Sequence, residues 1–306
     1  MTSQIAISGA SRILKLSESD LHEKIKKTLE TVPKAGGISY IDYDISRRTV
    51  NHKFKRKIFS FHIVKGGVGK TTSLVNVASC LHALGAKVLL IDIDPQGNLT
   101  DNLCVDAEKV PVLIDFINRD IPAKNGIVSI SEGFDLIPSR IENVTVDSFL
   151  MYQQRPLNLL FKRIFEEITS NYDYIFIDCP PMLGHVVTAS YLFSDCIISP
   201  LNPEKFSIKA LQILNREIDN IKKIFFQDIN YRVFLNKYSV NTKLSGSAVA
   251  EIFSDNEYKD RRFNTLIRYS QEVPNLTAQG KSLFSNLRAS NVKDDFESLV
   301  SELICL

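Results

Sequence analysis

Residues 58–85 constrain the fold of this chain more than any other segment. Residues 58–64 form a mostly apolar run, as expected of a strand buried in a parallel sheet. A glycine-rich stretch follows, and apolar residues then recur at helical spacing until Gly85. A strand, a glycine-rich turn and a helix N-terminus together form an anion site, because unpaired N–H groups and the helix dipole point at the ligand.

The glycine-rich stretch reads Lys65-Gly66-Gly67-Val68-Gly69-Lys70-Thr71-Thr72. It indicates a phosphate-binding loop, in which the backbone N–H groups of residues 66–69 cradle phosphates. Lys70 is then the expected phosphate lysine, and Thr71 supplies the expected magnesium hydroxyl. Lys65, five residues before Lys70, is a lysine that the ordinary motif does not require.

Composition places the chain among globular proteins. Its 306 residues are 44% hydrophobic and 24% charged, enough for one α/β domain with an appendage or for two domains. The net charge of +2 gives no bulk attraction to nucleic acid. The five cysteines are scattered, which favours reduced thiols of a cytoplasmic protein over disulfides or a metal site. We find no apolar run long enough for a membrane and no secretion signal.

Predicted strands and helices alternate from residue 58 onward. Further strands are predicted at 88–93, 134–137, 174–178, 196–199 and 232–236, and further helices at 112–117, 157–168, 208–225 and 293–304. This alternation predicts an α/β fold: a doubly wound, mostly parallel sheet with helices on both faces. Ligands then bind at the carboxyl ends of the strands.

Residues 1–57 are predicted to be an N-terminal extension to a phosphate-loop domain that covers residues 58–306. Apolar residues between Leu14 and Leu29 predict a short helix with Ser19 as a possible cap, and the Gly36-Gly37 pair then breaks the chain. Residues 47–57 form a basic arm that either touches DNA phosphates or is simply solvated. Its cations are Arg47, Arg48, Lys53, Lys55, Arg56 and Lys57.

Three carboxylates follow apolar strands. Asp178 ends the strand at 174–178, where P-loop NTPases place the carboxylate that holds the magnesium shell. Asp92 and Asp94 end the strand at 88–93, and Asp94 is our candidate for orienting a water in line with a γ-phosphate. Any one of the three alone could be a mere turn former.

Three motifs together resemble those of a known family. Lys-Gly-Gly-Val-Gly-Lys-Thr-Thr, Asp-Ile-Asp-Pro-Gln-Gly-Asn and Ile-Asp-Cys-Pro-Pro occur in that order. They resemble the nucleotide motifs of the ParA/Soj partition ATPases, in the deviant Walker A superclass that includes MinD. The resemblance covers about residues 58–290. Asp-Pro-Gln-Gly-Asn favours the partition branch over the nitrogenase iron-protein branch.

The resemblance implies ATP and Mg²⁺ as cofactors and a homodimer that encloses two ATP molecules. Lys65 would cross the interface to the partner's phosphates. By the same resemblance, Lys70 would bind the β- and γ-phosphates and Thr72 the α-phosphate, while Gly67 and Gly69 would shape the loop. Thr71 would bind magnesium directly and Asp178 would bind it through water. Asp94 would serve hydrolysis, and Asn236 would recognise adenine. Asn236 could equally be a strand-end turn former.

The implied function is plasmid or chromosome partition by an ATPase that binds DNA non-specifically in its ATP state. A centromere-binding ParB-like adaptor would stimulate hydrolysis and release, and the protein would be cytoplasmic and nucleoid-associated. The chain departs from the family at Asn241 and Glu272, where DNA-binding arginines are common. Our replacement candidates, each of which could also be a solvated charge, are Lys243, Lys259, Arg261, Arg262, Arg268, Lys281 and Arg288.

Three other functions share part of this pattern. A positioning ATPase for a non-DNA cargo, such as a protein organelle, a cellulose-synthesis complex or a receptor cluster, would use the same switch. A MinD-like membrane ATPase needs a basic amphipathic C-terminal helix, but residues 294–306 carry four acidic residues and no Lys or Arg. Lys65 and the lack of an evident acceptor site argue against a small-molecule kinase.

Overall fold

The computed structural model of the chain describes residues 3–239 and 258–306, which form a large sheet, a small sheet and flanking helices. The strands are β1 (Gln4–Ala6), β2 (Lys34–Ala35), β3 (Ile38–Asp42), β4 (Lys57–Phe61), β5 (Val88–Asp92), β6 (Val128–Ser131), β7 (Phe134–Ile137), β8 (Tyr174–Asp178), β9 (Cys196–Leu201), β10 (Tyr231–Tyr238) and β11 (Arg262–Arg268).

The helices follow the alternation that the sequence predicts. Within the described ranges they are α1 (Ile7–Leu14), α2 (Glu18–Leu29), α3 (Tyr43–Ile45), α4 (Lys70–Ala83), α5 (Asn98–Asn102), α6 (Leu113–Asn118), α7 (Val146–Gln153), α8 (Leu157–Thr169), α9 (His185–Phe193), α10 (Lys205–Phe225), α11 (Glu272–Thr277) and α12 (Asn291–Leu303). A π-helical turn spans Ser46–Val50, and 3₁₀ turns span Ala123–Gly126, Ile141–Thr145 and Leu283–Ser285.

The large sheet confirms the predicted fold class. Its eight strands within the described residues run in the order β11-β10-β9-β4-β8-β5-β7-β6, and every neighbouring pair is parallel except β6 and β7. In this register Asp178 pairs with Phe61 on one side and with Asp92 on the other. The end of β4, which enters the phosphate loop, therefore lies beside Asp178, and Asp92 lies one strand further across the sheet.

Alternate residues of the central strands supply two hydrophobic cores. Phe59 and Phe61 face the core that α4 and α12 cover, whereas Ile175 and Ile177 face the core that α8, α9 and α10 cover. A parallel sheet needs such cover on both faces, which explains why its strands read as continuous apolar runs.

The N-terminal extension differs from its prediction. Residues 7–29 form two helices, not one, because Lys15 takes a left-handed backbone conformation (φ 54°) between them. The cap of α2 is Ser17, whose hydroxyl accepts the backbone N–H of Asp20 at 3.0 Å, and not Ser19. β1, β3 and β2 form a small antiparallel sheet, and its strands of two to five residues are too short for a periodic sequence signal.

Residues of this extension share the core of the large domain. Ile5, Ile13 and Leu21 are fully or almost fully buried in the same cluster as Phe59 and Leu299.

The Arg12 guanidinium also reaches α12. It bonds the carboxylate of Asp294 at 3.0 Å and that of Glu297. The Glu297 side chain is only 5% exposed, so Arg12 compensates a charge that water hardly reaches.

Substitution of Arg12 by alanine is expected to lower the free energy of unfolding by about 1–3 kcal/mol, because it leaves the buried Glu297 carboxylate without this donor. Urea denaturation measures the change. The matched control is R48A, which breaks the exposed pair with Asp44 and should cost about 0.5 kcal/mol or less. Equal effects of the two substitutions would show that Arg12 does not anchor the extension.

Candidate functional site

The phosphate loop connects β4 to α4. Gly67 and Gly69 have positive φ angles of 72° and 85°. A Cβ at Gly69 would lie 2.5 Å from Nδ2 of Asn236, so both conformation and space require glycine there. Because α4 begins at Lys70, the loop N–H groups lie at a helix N-terminus, where the dipole favours an anion.

Lys70 is a buried cation at the base of the loop. Its Nζ donates to the carbonyl oxygen of Lys65 at 3.4 Å. Burial lowers the pKa of Lys70, whereas the carboxylates of Asp178 and Asp94 oppose this shift. A phosphate group would add negative charge and stabilise the ammonium further.

Thr71 and Asp178, which the sequence assigns to magnesium, lie together. The Thr71 hydroxyl donates to Oδ2 of Asp178 at 2.6 Å. Burial raises the pKa of Asp178, and the Thr71 hydrogen bond and the Lys70 charge partly offset this. Oδ1 of Asp178 is buried and accepts no hydrogen bond from the described residues.

An oxygen without a donor, beside a hydroxyl oxygen, suits a hard cation such as Mg²⁺. The described residues contain no cluster of three or more His, Cys, Asp or Glu side chains that could hold a metal ion. Magnesium is commonly bound by one or two carboxylates together with substrate phosphates.

The two aspartates after β5 have different surroundings. Asp92 is fully buried and accepts hydrogen bonds from the backbone N–H groups of Asp94 and Thr100 and from the Thr100 hydroxyl. Burial, followed by the nearby Asp178 carboxylate, raises the pKa of Asp92. Asp94 borders the cavity, and its Oδ1 accepts the N–H of Gln96 at 3.0 Å. Asp92 thus holds the loop that presents Asp94.

Lys65 forms an ion pair within its own chain. Its Nζ lies 2.5 Å from Oε2 of Glu204, directly before α10, and this bond lowers the pKa of Glu204. Sequence reasoning missed Glu204. The only available signal was an acidic residue just before a predicted helix, which does not identify a lysine far away in the chain.

A cavity of about 910 Å³ lies beside the phosphate loop and is large enough for a nucleotide, although Lys65 and Asp178 are not on its wall. The predicted residues on its wall are Gly66, Gly67, Gly69, Lys70, Thr71, Thr72, Asp94 and Asn236. The opposite wall comes from the end of β11, from α11 and from α12, and includes Tyr269, Val273 and Pro274.

Two side chains at the end of β10 support the loop. Asn236 donates from Nδ2 to the carbonyl oxygen of Val68 at 2.7 Å. Lys237, which sequence reasoning also missed, donates to the carbonyl oxygen of Gly67 at 2.8 Å and has a positive φ of 55°. Asn236 therefore holds the phosphate loop through this hydrogen bond, and it also lies on the cavity wall.

Four of the candidate DNA-binding cations differ in their surroundings. Arg268 has an acidic partner: its guanidinium bonds both carboxylate oxygens of Asp295 at 2.6–3.1 Å and borders the cavity. Lys281 and Arg288 are exposed. Lys243 lies outside the described residues, as does the departure at Asn241.

The C-terminal helix does not have an unpartnered apolar face. Val292, Phe296, Leu299, Val300 and Leu303 of α12 are buried in the core. Among the described helices, none is both long enough and apolar enough to cross a membrane.

Comparison with known proteins agrees with this site. The family model AAA_31, described as an AAA domain, matches residues 56–231, more than half of the chain. The chain is 31% identical to the sporulation initiation inhibitor protein Soj of Bacillus subtilis, over 74% of this chain and 90% of that protein. It is 27% identical to the chromosome-partitioning ATPase Soj of Treponema pallidum, over 78% and 94% of the two chains.

Among solved structures, the ATP complex of a substituted McdA from Cyanothece shares the fold. The TM-score is 0.73 at 24% identity, over 83% of this chain and 98% of that one. The order of the three nucleotide motifs, the parallel sheet that brings them together and the identity to Soj all point to one family. The chain therefore belongs to the ParA/Soj family of partition-type ATPases, in the deviant Walker A class of P-loop NTPases.

Proposed function

We propose that this chain is an ATPase for plasmid or chromosome partition that dimerises on ATP, binds DNA without sequence preference and is released by adaptor-stimulated hydrolysis. The observation that carries the proposal is the arrangement of Lys65, Lys70, Asp94 and the Thr71–Asp178 pair around one phosphate loop. Support for ATP as the ligand comes from the McdA structure, which was solved as an ATP complex.

In this proposal the loop amides and Lys70 hold the β- and γ-phosphates. The Thr71 hydroxyl oxygen holds Mg²⁺ directly, and Asp178 holds it through water. Bound Mg²⁺ would neutralise the charge that develops on the phosphate oxygens. Asp94 orients the attacking water, which it can do because Asp92 fixes the loop on which it lies.

Asn236 and the wall formed by α11 complete the nucleotide pocket in this proposal. Val273 and Pro274 offer apolar surface to a base, and the Asn236 amide offers hydrogen-bonding groups. To bind the base directly, the Asn236 amide would have to give up its hydrogen bond to the carbonyl oxygen of Val68. Otherwise it would support nucleotide binding only by holding the phosphate loop in place.

In this proposal, the second lysine of the loop acts on the nucleotide of the partner subunit. Lys65 would leave Glu204 and approach the phosphates bound by a partner subunit, which adds positive charge only after the dimer forms. Hydrolysis would then depend on assembly, as partition requires of a switch that a DNA-bound adaptor controls.

The proposed DNA contacts are electrostatic. Lys281 and Arg288, exposed cations of the phosphate-loop domain, are the proposed contacts, and Lys53 and Lys55, exposed cations of the basic arm, serve as the comparison. The two groups lie in different parts of the chain, so they can be tested separately.

The test is the affinity for random-sequence duplex DNA against salt, with ATP, with ADP and without nucleotide. Binding only with ATP, with a steep loss of affinity as salt rises, is the expected result. Equal DNA affinity with ATP, with ADP and without nucleotide would assign DNA contact to the basic arm. No binding in any state would contradict the partition proposal.

A pair of charge reversals makes the test specific. We expect the double substitution K281E/R288E to reduce the slope of log affinity against log salt by about 2 in the ATP state, near 0.9 for each DNA phosphate that the variant no longer neutralises. The matched double substitution K53E/K55E should leave the slope unchanged. The opposite pattern would place the interface on the N-terminal arm.

One observation favours a second candidate, a positioning ATPase for a non-DNA cargo. Arg268 is paired with Asp295, and Glu272 stands where the family commonly has an arginine, so neither position offers DNA an unpaired cation. Nucleotide-dependent dimerisation without DNA binding in the same assay would support this candidate.

A further inference from the structure

His62 is a buried polar residue between β4 and the phosphate loop, three positions before Lys65. Its side chain is fully buried. Its backbone N–H donates to the carbonyl oxygen of Ile198 at 3.1 Å, and its carbonyl oxygen accepts the Ser199 hydroxyl at 2.6 Å. Two hydrogen bonds therefore join the backbone at the entry to the loop to β9. The imidazole does not take part in them.

The imidazole bonds two other segments. Nε2 lies 3.1 Å from the carbonyl oxygen of Met182, and Nδ1 is bonded to the hydroxyl of Tyr191 on α9. Burial, assisted by the charge of Lys70, lowers the pKa of His62 to about 3, so the ring is neutral. Because a carbonyl oxygen can only accept, Nε2 carries the hydrogen, Nδ1 accepts, and the Tyr191 hydroxyl donates.

Met182 lies in the loop of residues 179–184, which directly follows Asp178. The far end of this loop is held by Asp147, whose Oδ1 accepts the backbone N–H of Val186 at 2.8 Å. Gly184 packs so closely on this carboxylate that a Cβ would lie 2.0 Å from Oδ2. Between these two attachments the side chains of Met182 and Leu183 are exposed by 57% and 36%.

We propose that His62 is a positioning residue for hydrolysis, which couples the loop after Asp178 to the strand end that carries Lys65. This inference rests on the ATPase function proposed above. A change at Asp178 when magnesium and phosphate bind would reach Met182 within four residues, and the imidazole would transmit it to the backbone before Lys65. Tyr191 keeps the ring in the required tautomer.

A purely space-filling role does not explain these contacts. An aliphatic side chain would fill the same volume without the cost of burying two ring nitrogens. Here the donor and the acceptor each have a partner, and both partners follow the strand that ends at Asp178.

Two substitutions separate the donor from the acceptor. Glutamine can place an N–H near the position of Nε2, whereas asparagine reaches only the position of Nδ1. We expect H62N to lower kcat for ATP by roughly 10- to 100-fold with little change in nucleotide affinity, and H62Q to recover most of it. The substitution Y191F should lower kcat in the same way as H62N, but by a smaller factor. Its control is Y172F, which removes a tyrosine hydroxyl bonded to Asp135 at 2.8 Å, away from the cavity.

A reporter tests the coupling without relying on turnover. The chain contains no tryptophan, so M182W places a single indole on the loop while keeping the backbone carbonyl that His62 bonds. We expect Mg²⁺ with a non-hydrolysable ATP analogue to change the indole fluorescence, and H62N to abolish this change at saturating nucleotide. H62Q should restore it.

The possible outcomes are distinct. Equal losses in H62N and H62Q, or changes in thermal stability alone, would identify His62 as a core residue and overturn the inference. An indole fluorescence that does not change when the nucleotide analogue binds would also overturn the inference. Absence of ATP turnover in the unsubstituted protein would contradict the proposed function itself, and the indole signal would still decide the coupling.

Discussion

Substitution of Lys65 by alanine is expected to lower ATP turnover by roughly 10³-fold or more while leaving nucleotide affinity nearly unchanged. A cation supplied in trans stabilises charge that develops only in the transition state, and arginine fingers are worth about 10³–10⁵ in kcat. Lys70, the loop amides and the Thr71–Asp178 pair remain intact in this variant, so the ground-state site persists. Single-turnover hydrolysis and binding of a fluorescent ATP analogue measure the two quantities.

The matched control for Lys65 is E204Q. It removes the carboxylate that holds the ammonium at 2.5 Å but keeps the lysine. Turnover of this variant should stay within a few-fold of the unsubstituted protein or rise. If K65A turned over ATP at the normal rate, the trans-lysine assignment would fail.

The second large effect is expected for D94N, which should lower turnover by about 10²- to 10⁴-fold because a neutral amide orients the attacking water less firmly than a carboxylate does. ATP binding should persist, and the ATP-bound dimer should become longer-lived. The control is D106N, because Asp106 accepts the N–H of the residue two positions later at 3.0 Å, as Asp94 does, but lies outside the cavity. Rapid quench of ATP hydrolysis and size-exclusion chromatography provide the readouts.

Mixing the two inactive variants tests whether the site is shared. If Lys65 acts across the interface, a mixed dimer contains one site with an intact Asp94 from the K65A subunit and an intact Lys65 from the D94N subunit. Turnover should then reappear on mixing, at about a quarter of the normal rate for an equal mixture. If both residues act within one subunit, the mixture should stay inactive.

The nucleotide site was largely predictable because its signals are local. The glycines, Lys70 and Thr71 occupy consecutive positions, and Asp178 ends an apolar run. Parallel pairing of β4, β8 and β5 then determines which strand ends become neighbours. The sequence assigned Thr71 and Asp178 separately to magnesium, and the fold brings the two side chains into a hydrogen bond across 107 positions.

Contacts that depend on tertiary packing could not be predicted. Nothing near Lys65 in the sequence indicates Glu204, and nothing near Arg268 indicates that Asp295 neutralises it. The two-helix form of the extension was missed because a non-glycine residue, Lys15, adopts the left-handed conformation between the helices. In each case the deciding partner or backbone angle is set by the assembled fold.

In the proposed ATP dimer, the Lys65–Glu204 pair would also affect the protein concentration at which the dimer forms. Each dimer would have to break two such pairs, one in each subunit, and a partly exposed pair is worth about 0.2–1 kcal/mol. The combined cost of about 0.4–2 kcal/mol would raise the concentration of half-assembly by about twofold to thirtyfold. Salt screens the Lys65–Glu204 pair, so the part of the threshold that this pair causes should shrink as ionic strength rises.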